Sequence, residues 1–284
     1  MLSAARSFFR DRGFLDVETP VRIPTPALED YIEAEASGDH FLRTSPELHM
    51  KRLLAAGYER IYQIGTCCRL GERGRVHLPE FAMLEWYRLD ADYMDVLDDT
   101  IALVRAVAAS GELRFRGQLT DVRGEWQRLT VDEAFRTYAG CTPDAALSRG
   151  RFEEILVERI EPHLGGATPT VLMDYPVCTS GLSKPKAGTP GRAERWELYI
   201  GGLEIANACS ELTDPAAQRR SFQATADLRR REQRPVYPVD EAFLAALGQI
   251  SSAAGVAIGI DRLAMVLTGA EVIDDVVAFP ADRA

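Results

Sequence analysis

Phe81-Ala82-Met83-Leu84-Glu85-Trp86-Tyr87-Arg88 alternates between two kinds of chemistry. Read as a strand, it turns Phe81, Met83, Glu85 and Tyr87 to one face and Ala82, Leu84, Trp86 and Arg88 to the other. A strand face packed into a core does not ordinarily carry a glutamate, because an unpaired buried carboxylate is costly. Two readings stand open here: an edge strand with one solvated face, or a platform offering a ring to a flat base and a carboxylate to an amine. Ile61 to Ile64 reads as the antiparallel partner, and the charged stretch Gly71 to Pro79 as the long loop between them.

The flanking elements follow from caps and periodicity. Leu2 to Arg12 reads as an amphipathic helix closed by Gly13, and Phe14 to Pro20 as a strand stopped by proline. Ser45 reads as an N-cap with Pro46 at the first helical position, opening a helix that runs to Gly57. Helices are predicted over about 92–109 and 214–233, and strands over 196–200, 203–212 and 255–259. Gly111 to Gly191 mixes short helices with Gly/Pro breaks, and its part Gly181 to Gly191 reads as a loop. Strand hairpins interleaved with helices predict an α+β fold on a mainly antiparallel sheet, as a single domain over residues 1–284.

Composition narrows the function classes. The 284 residues carry a net charge of −10, with 46% hydrophobic and 27% charged residues. That balance is ordinary for a soluble globular chain and argues against tRNA as the main partner, since nucleic-acid surfaces are basic. The run Arg229-Arg230-Arg231 with Arg234 is the candidate basic patch, and reads better as a solvated helix face. No apolar run reaches the roughly 20 residues of a membrane helix. The first residues lack the apolar stretch of a signal peptide. Five cysteines without CxxC spacing read as reduced thiols in a cytoplasmic protein.

Three further groups carry chemistry. Arg69 ends the partner strand, beside a loop with Glu72, Arg73, Arg75 and His77, a plausible clamp for a triphosphate. Glu194, Glu197, Glu204 and Glu211 punctuate the second hairpin around Gly201-Gly202. Two of these carboxylates facing each other would hold a Mg²⁺ that also binds phosphate oxygens. By parity Asn207, Cys209 and Glu211 share a face and Glu204 lies on the other, so one common site requires a bulge between them. Small residues in Gly255 to Gly259 would let a ligand approach the backbone, with Arg262 at the start of the next helix.

Phe14 to Pro20, Arg69 with Glu80-Phe81, and Gly259-Ile260-Asp261-Arg262 resemble motifs 1, 2 and 3 of the class II aminoacyl-tRNA synthetases, in order over nearly the whole chain. Ser45-Pro46-Glu47-Leu48-His49-Met50-Lys51-Arg52-Leu53, His77-Leu78-Pro79-Glu80-Phe81 and Glu204-Ile205-Ala206-Asn207-Ala208-Cys209-Ser210-Glu211-Leu212 are similar to the lysyl-tRNA synthetase group. Within it, the chain most resembles the truncated paralogues that attach (R)-β-lysine to a lysine of elongation factor P. The resemblance implies a class II catalytic domain without the anticodon-binding OB domain, acting as a homodimer through motif 1 with Phe8 or Phe9 buried at the contact. ATP and Mg²⁺ are the implied cofactors.

The resemblance also implies roles. Arg69 would hold the ATP α-phosphate and the amino-acid carboxylate. Phe81 would stack on adenine with Arg262 on its other face, and His77 would approach the terminal phosphates. Glu72, Ile205 and Gly259 would complete the nucleotide site, and Glu197 and Glu204 would hold Mg²⁺. Ser45 and Glu47 would receive the amino group near the carboxylate, which Asn207 would support. Glu85, Tyr87 and Glu211 would surround the ε-ammonium. Ala257 stands where the tRNA synthetases carry glycine and the β-lysine ligases carry alanine. The chain departs from the pattern at Cys68-Arg69-Leu70-Gly71, where the acid of Phe-Arg-x-Glu is displaced to Glu72, and at Leu78, in place of asparagine.

Overall fold

Helix α1 (Leu2–Asp11) buries Ala5, Phe8 and Phe9 on one stripe. Phe9 stacks on Tyr62 at a centroid separation of 4.6 Å, and meets Phe14 and Trp86 at 5.2 and 5.3 Å. These contacts lie within one chain, so neither phenylalanine needs a second subunit to be buried. The computed structural model describes residues 1–280 and 283. After α1 come β1 (Leu15–Asp16), β2 (Arg22–Ile23), β3 (Ala36–Ser37) and β4 (His40–Leu42). Helix α2 (Glu47–Ala55) leads into the long hairpin β5 (Arg60–Cys68) and β6 (Glu80–Leu89). Helix α3 (Tyr93–Val107) opens on a capping box between Asp92 and Asp95.

The middle of the chain holds more strand than its Gly/Pro breaks suggested. It contains β7 (Glu112–Phe115), β8 (Gln118–Asp121), β9 (Gln127–Thr130) and β10 (Thr170–Met173). Between β9 and β10 lie the short helices α4 (Val131–Ala134), α5 (Pro143–Ser148) and α6 (Phe152–Ile155). The second hairpin is β11 (Arg195–Ile200) and β12 (Leu203–Ser210). Helices α7 (Pro215–Arg231) and α8 (Glu241–Leu247) precede β13 (Ala253–Gly259), which runs straight into α9 (Ile260–Thr268).

One eight-stranded sheet organises the molecule, in the order β1-β5-β6-β13-β12-β11-β10-β9. Only its outer pairs, β1 with β5 and β9 with β10, are parallel. The expected α+β fold on a mainly antiparallel sheet is therefore what forms. Leu84, Trp86, Val256, Ile258, Ala206, Ala208, Trp196 and Leu198 turn to one face and join the main core, with Phe9, Val96, Leu97, Leu263 and Val266 of α1, α3 and α9. On the opposite face Ile61, Tyr87 and Ala253 join a second apolar cluster with residues of α2, α7 and α8, and the remaining polar side chains stand beside it.

Two local expectations are corrected. The strand predicted over Phe14 to Pro20 is only Leu15–Asp16. Val17 N still donates to Tyr62 O at 2.9 Å, but Thr19 N turns to the Gln63 side chain at 2.8 Å and Pro20 has no donor. Helix α2 begins at Glu47 with Pro46 as N-cap. Ser45 stands one residue earlier, and its hydroxyl accepts from Glu47 N at 2.9 Å. No described helix is long and apolar enough to cross a membrane.

Candidate active site

A single register row crosses the polar face. Gln63 lies opposite Glu85, Glu85 opposite Ala257, Ala257 opposite Asn207, and Asn207 opposite Glu197. The next row is Ile61, Tyr87, Gly255, Cys209 and Arg195. Directly opposed residues share a face. Small β13 residues thus form the floor of a trough, with Glu85 and Tyr87 on one side and Asn207, Glu197 and Arg195 on the other. The bulge that parity required is present. Leu198 pairs with Ala206 and Tyr199 with Glu204, so Ile205 is the extra residue. Glu204 is thereby turned onto the face that carries Asn207 and Glu197.

The predicted residues separate into two tiers. A cavity of about 350 Å³ is lined by Arg69, Glu72, His77, Phe81, Glu197 and Glu204. Ile205, Asn207, Ala257, Gly259 and Arg262 line it as well. Ser45, Glu47, Glu85, Tyr87 and Glu211 do not line it and form a deeper polar cluster. Glu85 is 1% exposed; it accepts from Ser45 Oγ at 2.7 Å and from Tyr87 Oη at 2.8 Å. Lys51 bridges Glu47, at 2.5 Å, and Glu211. Burial pushes Glu85 and Glu211 each up to about 7, with Glu47 adding repulsion to both and Lys51 opposing the rise of Glu211. Burial would lower Lys51, but Glu211 and Glu47 outweigh it and hold the ammonium above its ordinary range. Two carboxylates, Glu47 and Glu211, therefore share one buried cation, beside a third, Glu85, that is held by hydroxyls.

In the upper tier, the guanidinium of Arg69 lies 5.2 Å from the Phe81 ring centroid, so Arg69 rather than Arg262 covers that ring here. Its buried Nε has no hydrogen-bond partner among the described residues. Arg262 ties the β5–β6 loop to β12, donating to Val76 O at 3.2 Å and to Glu204 Oε2 at 3.0 Å. Its Nη2 lies 2.5 Å from His77 Nε2. Burial and then the Arg262 charge lower the His77 pKa, which leaves the imidazole a neutral acceptor. Glu197 is enclosed by donors: Tyr175 and Tyr199 hydroxyls at 2.5 and 2.7 Å on Oε2, Arg195 and Asn207 at 2.5 and 3.1 Å on Oε1.

The family of tRNA synthetases class II (D, K and N) matches residues 1–283. This chain belongs to it. The chain is 39% identical to a lysine–tRNA ligase of Moorella thermoacetica over its whole length and 64% of that protein, so it spans under two thirds of that relative's length. It is 37% identical to an elongation factor P–(R)-β-lysine ligase of Proteus mirabilis, and 36% identical to the corresponding ligase of Vibrio cholerae. In both cases it covers all of this chain and 94% of the relative.

The departures in motif 2 have a structural answer. Gly71 adopts a φ of +78°, a left-handed turn that favours glycine. The turn brings Glu72 back, with its Oε1 3.8 Å from Arg69 Nη1. Leu78 is 5% exposed and packs into the main core from the cavity wall.

Sequence reasoning gave no role to Lys51, Arg195 or Glu29. The signal for Arg195 was available, since Arg195, Glu197 and Tyr199 alternate on one face of β11. Lys51 lies one helical turn after Glu47, the spacing of a helix ion pair. Glu29 sits in a loop with no periodicity to mark it. The arginine patch is not a solvated face throughout: Arg229 is fully buried, and Arg230 and Arg234 are paired with Asp227 and Glu33.

Proposed function

We propose that this synthetase adenylates lysine or (R)-β-lysine with ATP and transfers the acyl group to a lysine of elongation factor P. The observation that supports this most is the charge imbalance beneath the cavity. Among the described residues Lys51 pairs with Glu47 and Glu211, while Glu85 has two hydroxyls as partners and only the charge of Arg69 opposing its burial. An entering alkylammonium would offset that excess, beneath a cavity that Arg69, with its unpartnered buried Nε, lines together with Ala257. A cavity with an arginine on its wall and excess carboxylate below it suits an amino acid with a terminal ammonium.

In that chemistry the substrate carboxylate attacks the α-phosphorus in line and pyrophosphate leaves. The acceptor amine, once deprotonated, attacks the acyl carbon and AMP leaves as the amide forms. Arg69 would hold the α-phosphate and the carboxylate, with Asn207 supporting the carboxylate. Phe81 and Arg262 would flank adenine, with Ile205, Gly259 and Glu72 around the nucleotide and His77 near the terminal phosphates. Ser45 and Glu47 would take the nearer amino group, and Glu85, Tyr87 and Glu211 the ε-ammonium. The contribution is positioning and charge stabilisation, without a side-chain nucleophile.

Glu197 and Glu204 are the pair that would hold Mg²⁺, Glu197 exchanging some of its donors for the ion. Burial raises Glu197 most, with Arg195 opposing and Glu204 adding repulsion, and both carboxylates push Glu161 up, after burial, to about 7. Among the described residues no cluster of three or more His, Cys, Asp or Glu forms a self-contained metal site. A pair of carboxylates completed by phosphate and water is the usual Mg²⁺ arrangement. When bound, the ion would neutralise charge on the phosphates.

The proposal includes a cytoplasmic homodimer through the segment of α1 and β1. Leu2 and Leu15, exposed at 39% and 49%, would be its apolar contacts in place of Phe8 and Phe9. Pyrophosphate exchange with α-lysine, (R)-β-lysine and no amino acid tests the reading. Exchange that depends on either lysine supports it, and none with both overturns it.

A further inference from the structure

The cavity wall carries a carboxylate to which no role has yet been given. Glu29 lines the cavity with Arg69, Glu72, Asn207 and Ala257. Its side chain makes no hydrogen bond or ion pair with any described residue. The charges that act on it most are Arg69, Glu47, Arg195 and Glu72. Glu29 is half-buried, and desolvation at the cavity wall pushes its carboxyl up to about 7, with Arg69 opposing the rise.

The backbone beneath Glu29 is tied down although the carboxylate is not. Buried Arg229 of α7 donates to the carbonyls of Glu29 at 2.7 Å and Ile32 at 2.9 Å. Thr225 Oγ1 donates to Asp30 Oδ1 at 2.7 Å, and Ala34 N to Tyr237 Oη at 2.8 Å. A loop held at four points to one helix and the segment that follows it presents the side chain from a fixed base.

The groups expected to receive the nearer amino group are already engaged. Glu47 Oε1 is bound to Lys51, and the Ser45 hydroxyl donates to Glu85 while accepting from Glu47 N. A substrate whose carboxylate sits at Arg69 carries that ammonium one or two carbons away, beside Arg69. We propose that Glu29, together with Glu47, receives the ammonium nearest the substrate carboxylate, and so makes the site demand an amino group at that end. This deepens, and rests on, the reading of the cavity as a lysine-activating site.

The test is pyrophosphate exchange by wild type and Glu29→Gln with α-lysine, (R)-β-lysine and 6-aminohexanoate. The last keeps the carboxylate and terminal ammonium but lacks the amino group near the carboxylate. Losing a carboxylate opposite a desolvated ammonium lowers kcat/KM for the preferred lysine by about 30-fold or more. The value for 6-aminohexanoate stays within about threefold, because that ligand never met Glu29. Equal losses on both substrates, or no change on either, overturn the assignment. Wild type inactive on all three overturns the underlying lysine reading as well, whereas an active wild type with an unchanged ratio overturns Glu29 alone. ATP affinity of the variant reports folding, and Glu29→Ala must give the same ratio.

Discussion

Replacing Lys51 with methionine removes the buried cation while keeping a side chain of similar length. The Lys51 side chain is 1% exposed and that of Glu211 2%, so water cannot take over the lost role. Breaking a buried pair from one side costs about 3–5 kcal/mol, because the remaining charge stays desolvated. For 284 residues the unfolding entropy is about 0.6 kcal/mol/K, so the melting temperature should fall by about 5–8 °C near pH 8. The loss should shrink near pH 5.5. Glu211 has a folded pKa of about 7 even with Lys51 beside it, and without Lys51 it rises further. At the lower pH it is a neutral acid in the variant, and little charge remains uncompensated. Adding Glu211→Gln to Lys51→Met should restore part of the stability, a coupling of about 1 kcal/mol or more. Urea or thermal unfolding without ligand at both pH values decides it. A loss independent of pH, with the two substitutions simply additive, would refute the shared-charge account.

Three further outcomes follow from the same geometry. Gly255→Ala would put its Cβ 2.2 Å from Tyr87 Cε1 and 2.8 Å from Glu211 Oε1, costing about 1–3 kcal/mol in stability and raising KM for lysine far more than for ATP; equal rises in both would contradict it. Ala257→Gly removes one methyl between Glu85 and Asn207, and should move the β-lysine to α-lysine ratio of kcat/KM toward α-lysine by about 10-fold or more, whereas an unchanged ratio would make Ala257 a packing residue only. Glu85 binds its proton more tightly folded, at about 7 against 4.5, so its stabilising contribution is complete below about pH 4.5 and lost as pH rises through 7. Wild-type stability measured relative to Glu85→Gln should therefore decline across that window by up to about 3 kcal/mol, and a flat difference would show that burial does not raise the Glu85 carboxyl.

Much of this site could be read from strand parity. Phe81, Met83, Glu85 and Tyr87 do share a face, and the parity mismatch of Glu204 with Glu211 asked for a bulge between them, which the structure has at Ile205. Period-two alternation survives in sequence because one face of the sheet is buried against α1, α3 and α9. What was hidden depends on contacts between distant segments. Glu29 reaches the cavity because Arg229, some 200 positions later, holds its loop. The tiering of the site, with Glu85 and Glu211 closed beneath the cavity, follows from α2 laying Lys51 between two carboxylates, which no single strand or helix pattern encodes. Likewise Arg229 looked like surface charge until the carbonyls it binds came together around it. The strands between 112 and 173 escaped notice because each is four residues long, too short for alternation to stand out.

The central claim is that a lysine activated here ends on a protein lysine. The purified protein, ATP, Mg²⁺, (R)-β-lysine and elongation factor P should yield, by intact mass, a factor heavier by one lysyl residue at a single lysine. The gain should vanish without ATP and fall strongly with Glu211→Gln. An unchanged mass of the factor, while the same preparation esterifies tRNA with lysine, would contradict the account.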